Sequence, residues 1–247
     1  MFSNRLAFLL LIPVLFLQAC SEIPVAPRIS IREQLEVDTM KASGLVSEFR
    51  KQAVFDSKPS VEKYLQSVAL QIISAEEELR GEKVTARIHV DLNKEWKSAF
   101  AFPGVMISVP RTFLGKVNFE NELAALISYQ LALIRNRELA RALEKDASRP
   151  LTGDRGVFRF SVDAILASIE AGTRMMYAAG YDPRGMVSLI EKHPGFFVDE
   201  SSTDIIKEKE RFIKQAQKIK NEFLPSLQPI VRSNDFLQMK KELKGSS

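Results

Sequence analysis

Forty residues between Ser98 and Arg137, SAFAFPGVMISVPRTFLGKVNFENELAALISYQLALIRNR, hold an apolar segment, a proline–glycine pair and a long periodic run, and they limit the chain to few architectures. Glu122 to Arg137 has the pattern of an amphipathic helix carrying the small residues Ala124, Ala125 and Ala132. Upstream, Val61, Leu65, Val68 and Ile72 recur at spacings of four, three and four, behind Pro59 and a capping Ser60, which predicts a core-facing helix. Val84, Ala86, Ile88 and Val90 alternate with Thr85, Arg87, His89 and Asp91, the period of a half-buried strand. Residues 98–109 read as the next strand, its ladder interrupted by Pro103 and Gly104. After a helix ending near Leu143, Glu144 to Gly156 carries Pro150, Gly153 and Gly156 and reads as an exposed loop, and residues 158–178 as a second core helix. The fold class expected is α+β, a helical core beside a small sheet.

On the helix at 122–137, one motif would carry chemistry if its residues were present. Two histidines four residues apart lie on one helix face and offer two imidazoles to a tetrahedral zinc, while a glutamate beside the first takes a proton from zinc-bound water. This helix has Tyr129, Gln130 and Leu133 at those places. A phenol has an unperturbed pKa of about 10 and is a poor ligand, an amide is no base, and leucine has no donor atom.

The surroundings nevertheless resemble the HtpX-like and BepA-like zinc metallopeptidases, peptidase family M forty-eight. Their strand N-A-F-A-x-P-G-G-x-I-x-V is matched by Ser98, Ala99, Phe100, Ala101, Phe102, Pro103, Gly104, Val105, Met106, Ile107, Ser108 and Val109. Their E-L-A-A-x-x-x-H-E-x-x-H-x-x-x-R falls on Glu122, Leu123, Ala124, Ala125, Tyr129, Gln130, Leu133 and Arg137. The A-G-Y-D-P that closes their second helix is present as Ala179 to Pro183, with Gly172 seven residues before it. The resemblance spans residues 55–195 and implies a mainly helical, zincin-type domain. It puts the third zinc ligand at Ala167, with Ile169 in place of the aspartate that supports a ligand histidine. Leu133, Ala167 and Ile169 are then expected to fill with apolar contact the gap an ion would occupy. Only two histidines exist, His89 and His193, so no pair at helical spacing can form in any register. No metal and no other cofactor is expected. In the active enzymes the strand with the glycine is an edge that pairs with extended substrate, so Phe102, Gly104, Val105, Met106 and Ile107 are candidate peptide-binding residues.

The first residues have a different purpose. Arg5 precedes an apolar run from Leu6 to Leu17 that ends in Leu17-Gln18-Ala19-Cys20, which resembles a bacterial lipobox. Residues 1–19 are then a signal peptide, and Cys20, the only cysteine, is the acylated mature N-terminus. Three acyl chains exceed the two signals that stable anchoring requires, so the membrane is a partner through lipid alone. Ser21, being other than aspartate, points to the outer membrane facing the periplasm of a bacterial envelope. Residues 20–32, with Pro24 and Pro27, read as a tether, 33–200 as the metallopeptidase-like domain and 201–247 as a charged helical tail.

In that tail Ile205, Phe212, Ala216, Ile219 and Phe223 space an amphipathic helix from Asp204 to Leu224, before Pro225. Ten Lys or Arg stand against six Asp or Glu there, but Glu208, Glu210 and Glu222 dilute the patch, which favours a helix packed on the domain over one lying on anionic lipid. His89 falls on the polar strand face and His193 at a helix C-terminus, and neither takes a catalytic role. Phosphate-binding loops, a G-x-S-x-G elbow and calcium spacing are missing, and nucleic acid does not suit an exported chain with a modest basic excess. Three functions remain: a non-catalytic, peptide-binding, adaptor or chaperone-like lipoprotein, an active zinc metalloendopeptidase with non-standard ligands, and a structural envelope lipoprotein. The replaced ligands favour the first, with an extended polypeptide or an envelope protein as partner.

Overall fold

The structure is a computed structural model that describes residues 30–56, 59–76, 87–93, 98–104, 106–145, 160–197, 204–224 and 227–245. Cys20 with its lipobox, the tether up to residue 29, Val84 to Ala86, Val105 and the loop from 146 to Gly156 lie outside the described residues. No helix among the described residues is long and apolar enough to cross a membrane.

Helix α1 runs from Ile31 to Gln52 and α2 from Pro59 to Ala75. The α2 periodicity holds, with Val61, Leu65, Val68 and Ile72 all buried. Ser60 does not cap α2; it lies inside the helix and its hydroxyl donates to Glu242 at 2.5 Å. Strand β1, Arg87–Asp91, pairs in parallel with β3, Met106–Pro110, which pairs antiparallel with β2, Phe100–Phe102. The single strand expected over 98–109 is therefore a hairpin. At its turn Gly104 has φ +82°, a conformation open to glycine, and a Cβ there would come within 2.8 Å of the Thr39 hydroxyl.

A short α3, Arg111–Lys116, leads into α4, Glu120–Arg135, and then α5, Glu138–Lys145. The expected amphipathic helix is instead buried on every side: each residue from Glu120 to Ile134 is inside. The polar ones are tolerated where partners reach them. Glu122 accepts from Ser188 at 2.6 Å, from Lys192 and from the Asn118 amide, and these donors outweigh burial to hold its carboxyl below the usual range. The Glu120 carboxylate accepts from the Ser233 amide at 2.6 Å.

Helix α6, Val162–Ala178, lies along α4, and its first turn is capped by Ser161, whose hydroxyl accepts from the Ala164 amide at 3.2 Å, a contact worth about 1 kcal/mol. Helix α7, Arg184–Lys192, and a 3-10 turn, Pro194–Phe196, follow. The segment expected as a tail supplies α8, Ile205–Glu222, and α9, Asn234–Lys244. Phe212, Ala216 and Ile219 of α8 and Phe236, Met239 and Leu243 of α9 are buried, and all of these but Ile219 belong to the principal core. Burial of each Phe, Ile or Leu contributes roughly 1.5–3 kcal/mol, which holds α8 and α9 to the same core as the helices before them. Lys240 fastens α9 further by donating to the carbonyls of Leu114, Gly115 and Val117 at 2.7, 3.0 and 2.8 Å, the carbonyls that end α3.

A second, smaller apolar cluster joins α1 to the hairpin and α5 through Ala42, Phe49, Phe100, Phe102, Met106, Leu139 and Leu143. Phe49 is its hub, with ring centroids 4.9 Å from Phe102 and 5.6 Å from Phe100.

Candidate functional site

Of the positions aligned with a zinc site, Tyr129, Gln130 and Leu133 lie on α4 and Ala167 and Ile169 on α6, the helix packed against it. Gly172 brings the helices together: a Cβ on it would lie 3.0 Å from the Tyr129 amide nitrogen and 3.1 Å from the Ser128 carbonyl. Tyr129, at 1% exposure, packs its ring 4.6 Å from that of Phe197. Burial, with the nearby Glu138 charge adding, pushes its phenol well above the usual range, so a phenolate ligand would be costly here. Gln130 and Leu133 are buried on the same helix, and Ile169 is buried on α6.

Ala167 is placed differently from expectation. It is exposed, while the buried face of α6 runs through Ile165, Ser168, Ile169, Gly172, Thr173, Met175 and Met176. Helical periodicity decides this, since one step of about 100° separates Ala167 from the stripe that meets α4. Of the three positions expected to fill the gap, Leu133 and Ile169 are buried in the principal core and Ala167 is not. Ser168 lines this junction instead, its hydroxyl accepting from the Asn136 side-chain Nδ2 at 3.4 Å. The residues present do not fit a zinc ion: none of Tyr129, Leu133 and Ala167 offers an ionised or imidazole donor in a state that binds zinc. Among the described residues, no group of three or more His, Cys, Asp or Glu side chains is placed to hold a metal.

The histidines stand elsewhere. His89 of β1 lies with Nδ1 3.4 Å from Glu62 and its ring 4.9 Å from Phe55. His193 ends α7 with its ring edge-on to Phe113 at 5.0 Å, and burial lowers its pKa.

The run Ala179 to Pro183 is a helix-to-helix corner. The amide of Tyr181 bonds the Met176 carbonyl and that of Gly180 bonds Tyr177, both at 2.9 Å, which is a Schellman motif with Gly180 at φ +86°. Tyr181 turns inward and donates to Gln71 at 3.2 Å. Asp182 accepts from the Arg184 amide at 2.9 Å, so its carboxylate, which the Arg184 guanidinium also grips, opens α7. Ala179 to Pro183 thus have a structural purpose in this chain, closing α6 and opening α7.

The candidate edge strand needs correction too. Met106 and Ile107 belong to β3, the central strand of the order β1-β3-β2, so its neighbours on both sides already use its backbone. The physical reason is the turn at Pro103 and Gly104, which folds the segment back on itself. Phe102 lies on β2, a true edge, and Gly104 in the turn. The residues that read as one strand therefore do not form one ligand-facing ladder.

Comparison with protein-family models finds none that matches, and no curated protein matches the chain.

Sequence reading missed a polar face on α1. Thr39, Ser43, Ser47 and Lys51 recur every four residues, a helical stripe that was present in the sequence and lacked only an apolar signal.

Proposed function

We propose that the chain is an envelope lipoprotein, anchored through Cys20, whose metallopeptidase-like domain has no zinc site and works by holding polypeptide or a protein partner. The observation that carries this reading is the α4–α6 junction. There Tyr129, Gln130, Leu133 and Ile169 are buried against a neighbouring helix, and they do not include the donors that water activation demands. Replacing a whole polar set by apolar groups can be nearly neutral, whereas losing one ligand leaves buried partners unsatisfied at about 1–3 kcal/mol each. The lipobox supports the anchor, and the resemblance over residues 55–195 supports the fold type.

If an extended peptide adds to the sheet, β2 is the strand that suits it, with Ala101 half-buried at its middle. Metal analysis of the purified full chain is expected to give no stoichiometric zinc and no chelator-sensitive proteolysis. One zinc per chain with cleavage abolished by a chelator would overturn the reading in favour of an active peptidase. A photo-crosslinking amino acid at Ala101 is expected to capture extended polypeptide in the envelope. Capture only from surfaces away from β2 would favour the structural lipoprotein.

A further inference from the structure

The stripe on α1 lines one wall of a groove of about 490 Å³, whose other wall is the hairpin turn at Pro103 and Gly104 with the start of β1. Its cations come from two elements that are distant in sequence. Arg50 and Lys51 end α1, and Arg87 opens β1 opposite Met106 in the register with β3. Among the described residues, neither Arg50 nor Arg87 has a carboxylate within ion-pair distance; the Arg50 guanidinium sits 3.9 Å from the Met106 sulfur. Lys51 pairs with Glu48 at 2.6 Å, but both side chains are more than half exposed, and such pairs contribute about 0–1 kcal/mol, so the ammonium is readily redirected.

We infer that this groove binds a ligand bearing a phosphate group. Two guanidinium forks, one ammonium and the exposed hydroxyls of Ser43 and Ser47 supply more donors than a carboxylate, with two oxygens, can accept. A phosphate with its terminal oxygens matches that set, and guanidinium forks grip it bidentately. Thr39 is not part of the donor set, because its hydroxyl donates to the Leu35 carbonyl at 2.5 Å. The negative end of the α1 dipole opposes an anion by roughly half a charge, and three full positive charges outweigh it. The volume exceeds that of a bare phosphate and lies in the range of small-molecule sites of about 300–1,000 Å³. Met106, Val46 and Pro103 give the remaining space an apolar wall for the body that carries the phosphate.

The source is a soluble phosphate ester or a phospholipid headgroup, and the two separate experimentally. The full-length chain in neutral detergent is titrated calorimetrically with inorganic pyrophosphate, and in parallel with a short-chain phosphatidic acid below its critical micelle concentration. Binding of at least one probe is expected, weakened tenfold or more by Arg50→Glu and by Arg87→Glu and unchanged by Lys218→Glu at an exposed position of α8, a helix that does not line the groove. Both groove side chains are exposed, so the thermal midpoint should hold; Arg50→Gln and Ser43→Ala give the same test without charge reversal. Equal affinity for the two probes assigns the site to soluble esters, and tenfold preference for phosphatidic acid assigns it to lipid. The inference is wrong if neither probe binds at millimolar concentration, or if Lys218→Glu weakens binding as much as Arg87→Glu does. Zinc content and crosslinking at Ala101 do not depend on this outcome.

Discussion

Gly185→Ala is expected to cost about 3 kcal/mol, toward the upper end of overpacking penalties, and to lower the melting midpoint by roughly 6–12 °C for a domain of this size. Gly185 sits in the first turn of α7 where its backbone rests on the first turn of α4. A Cβ there would come within 2.6 Å of the Asn121 carbonyl carbon and closer still to its oxygen. The obstacle is backbone, so no rotamer change relieves it, and α4 has no free side toward which to move. The contacts that α7 makes beyond this point, Ser188 and Lys192 on Glu122, would be pulled apart with it. Gly172→Ala meets backbone at 3.0–3.1 Å and should cost less, because a shift of a few tenths of an ångström suffices. Gly44, inside α1 with nothing within 4 Å of the place a methyl would take, is the internal control: Gly44→Ala should stabilise by about 0.5–1 kcal/mol. Chemical denaturation of the three variants checks the order, and a Gly185→Ala midpoint equal to that of Gly44→Ala would disprove the close approach.

The same glycines show which features sequence can carry. The α2 face was legible because its apolar residues are large and its outer residues polar, so period alone located it. On α4 the period was legible but the environment was not. Glu120, Glu122, Ser128 and Gln130 look like an outer face, and only the partners brought by α7 and by Ser233 make them inner residues. The hairpin was hidden because Val105, Met106 and Ile107 continue the apolar run across the turn, so Pro103 and Gly104 read as an interruption. Helices α1 and α9 have apolar residues too sparse to stand out from their charges, and their burial depends on Phe49 and Phe236 finding distant partners. At the candidate site, the missing donors at Tyr129 and Leu133 were visible in the sequence, whereas the exposure of Ala167 needed the actual rotation of α6. The groove at Arg50 and Arg87 could not be read at all, since it joins α1 to a strand that begins thirty-five residues after α1 ends.

A related limit applies to the end of α4. The apolar pattern runs through to Leu143, yet the helix stops at Arg135, and Arg137 turns the chain with φ +57° before α5 begins. A non-glycine residue in that conformation costs roughly 1–2 kcal/mol, which the surroundings must offset. The resemblance aligns Arg137 with an arginine of the peptidase helix, but here it leaves the helix to reach α1.

Its partner there makes Arg137→Met the second large expected effect, a loss of about 3–5 kcal/mol. The guanidinium holds Asp38 through Nε and Nη2, each at 2.8 Å, and Asp38 is only 2% exposed. Burial raises the Asp38 carboxyl, but the Arg137 fork and charge, with Gln34 and Lys41 assisting, more than reverse that and hold it below the usual range. A depressed folded pKa means that this stability is complete above the unfolded value of about 4 and disappears as pH falls through the folded value. Removing Arg137 leaves burial dominant, so the same carboxyl should titrate above its unfolded value and the variant should suffer least once Asp38 is protonated. The gap in unfolding free energy between wild type and Arg137→Met is therefore expected to narrow from pH 7 toward pH 4. Adding Asp38→Asn to Arg137→Met removes the stranded charge and should recover part of the loss at pH 7. If the double variant is no more stable than Arg137→Met alone, or the gap is the same at both pH values, the lost energy comes from the other contacts of the Arg137 side chain, Glu144 at 3.3 Å among them, and the ion pair with α1 is incidental.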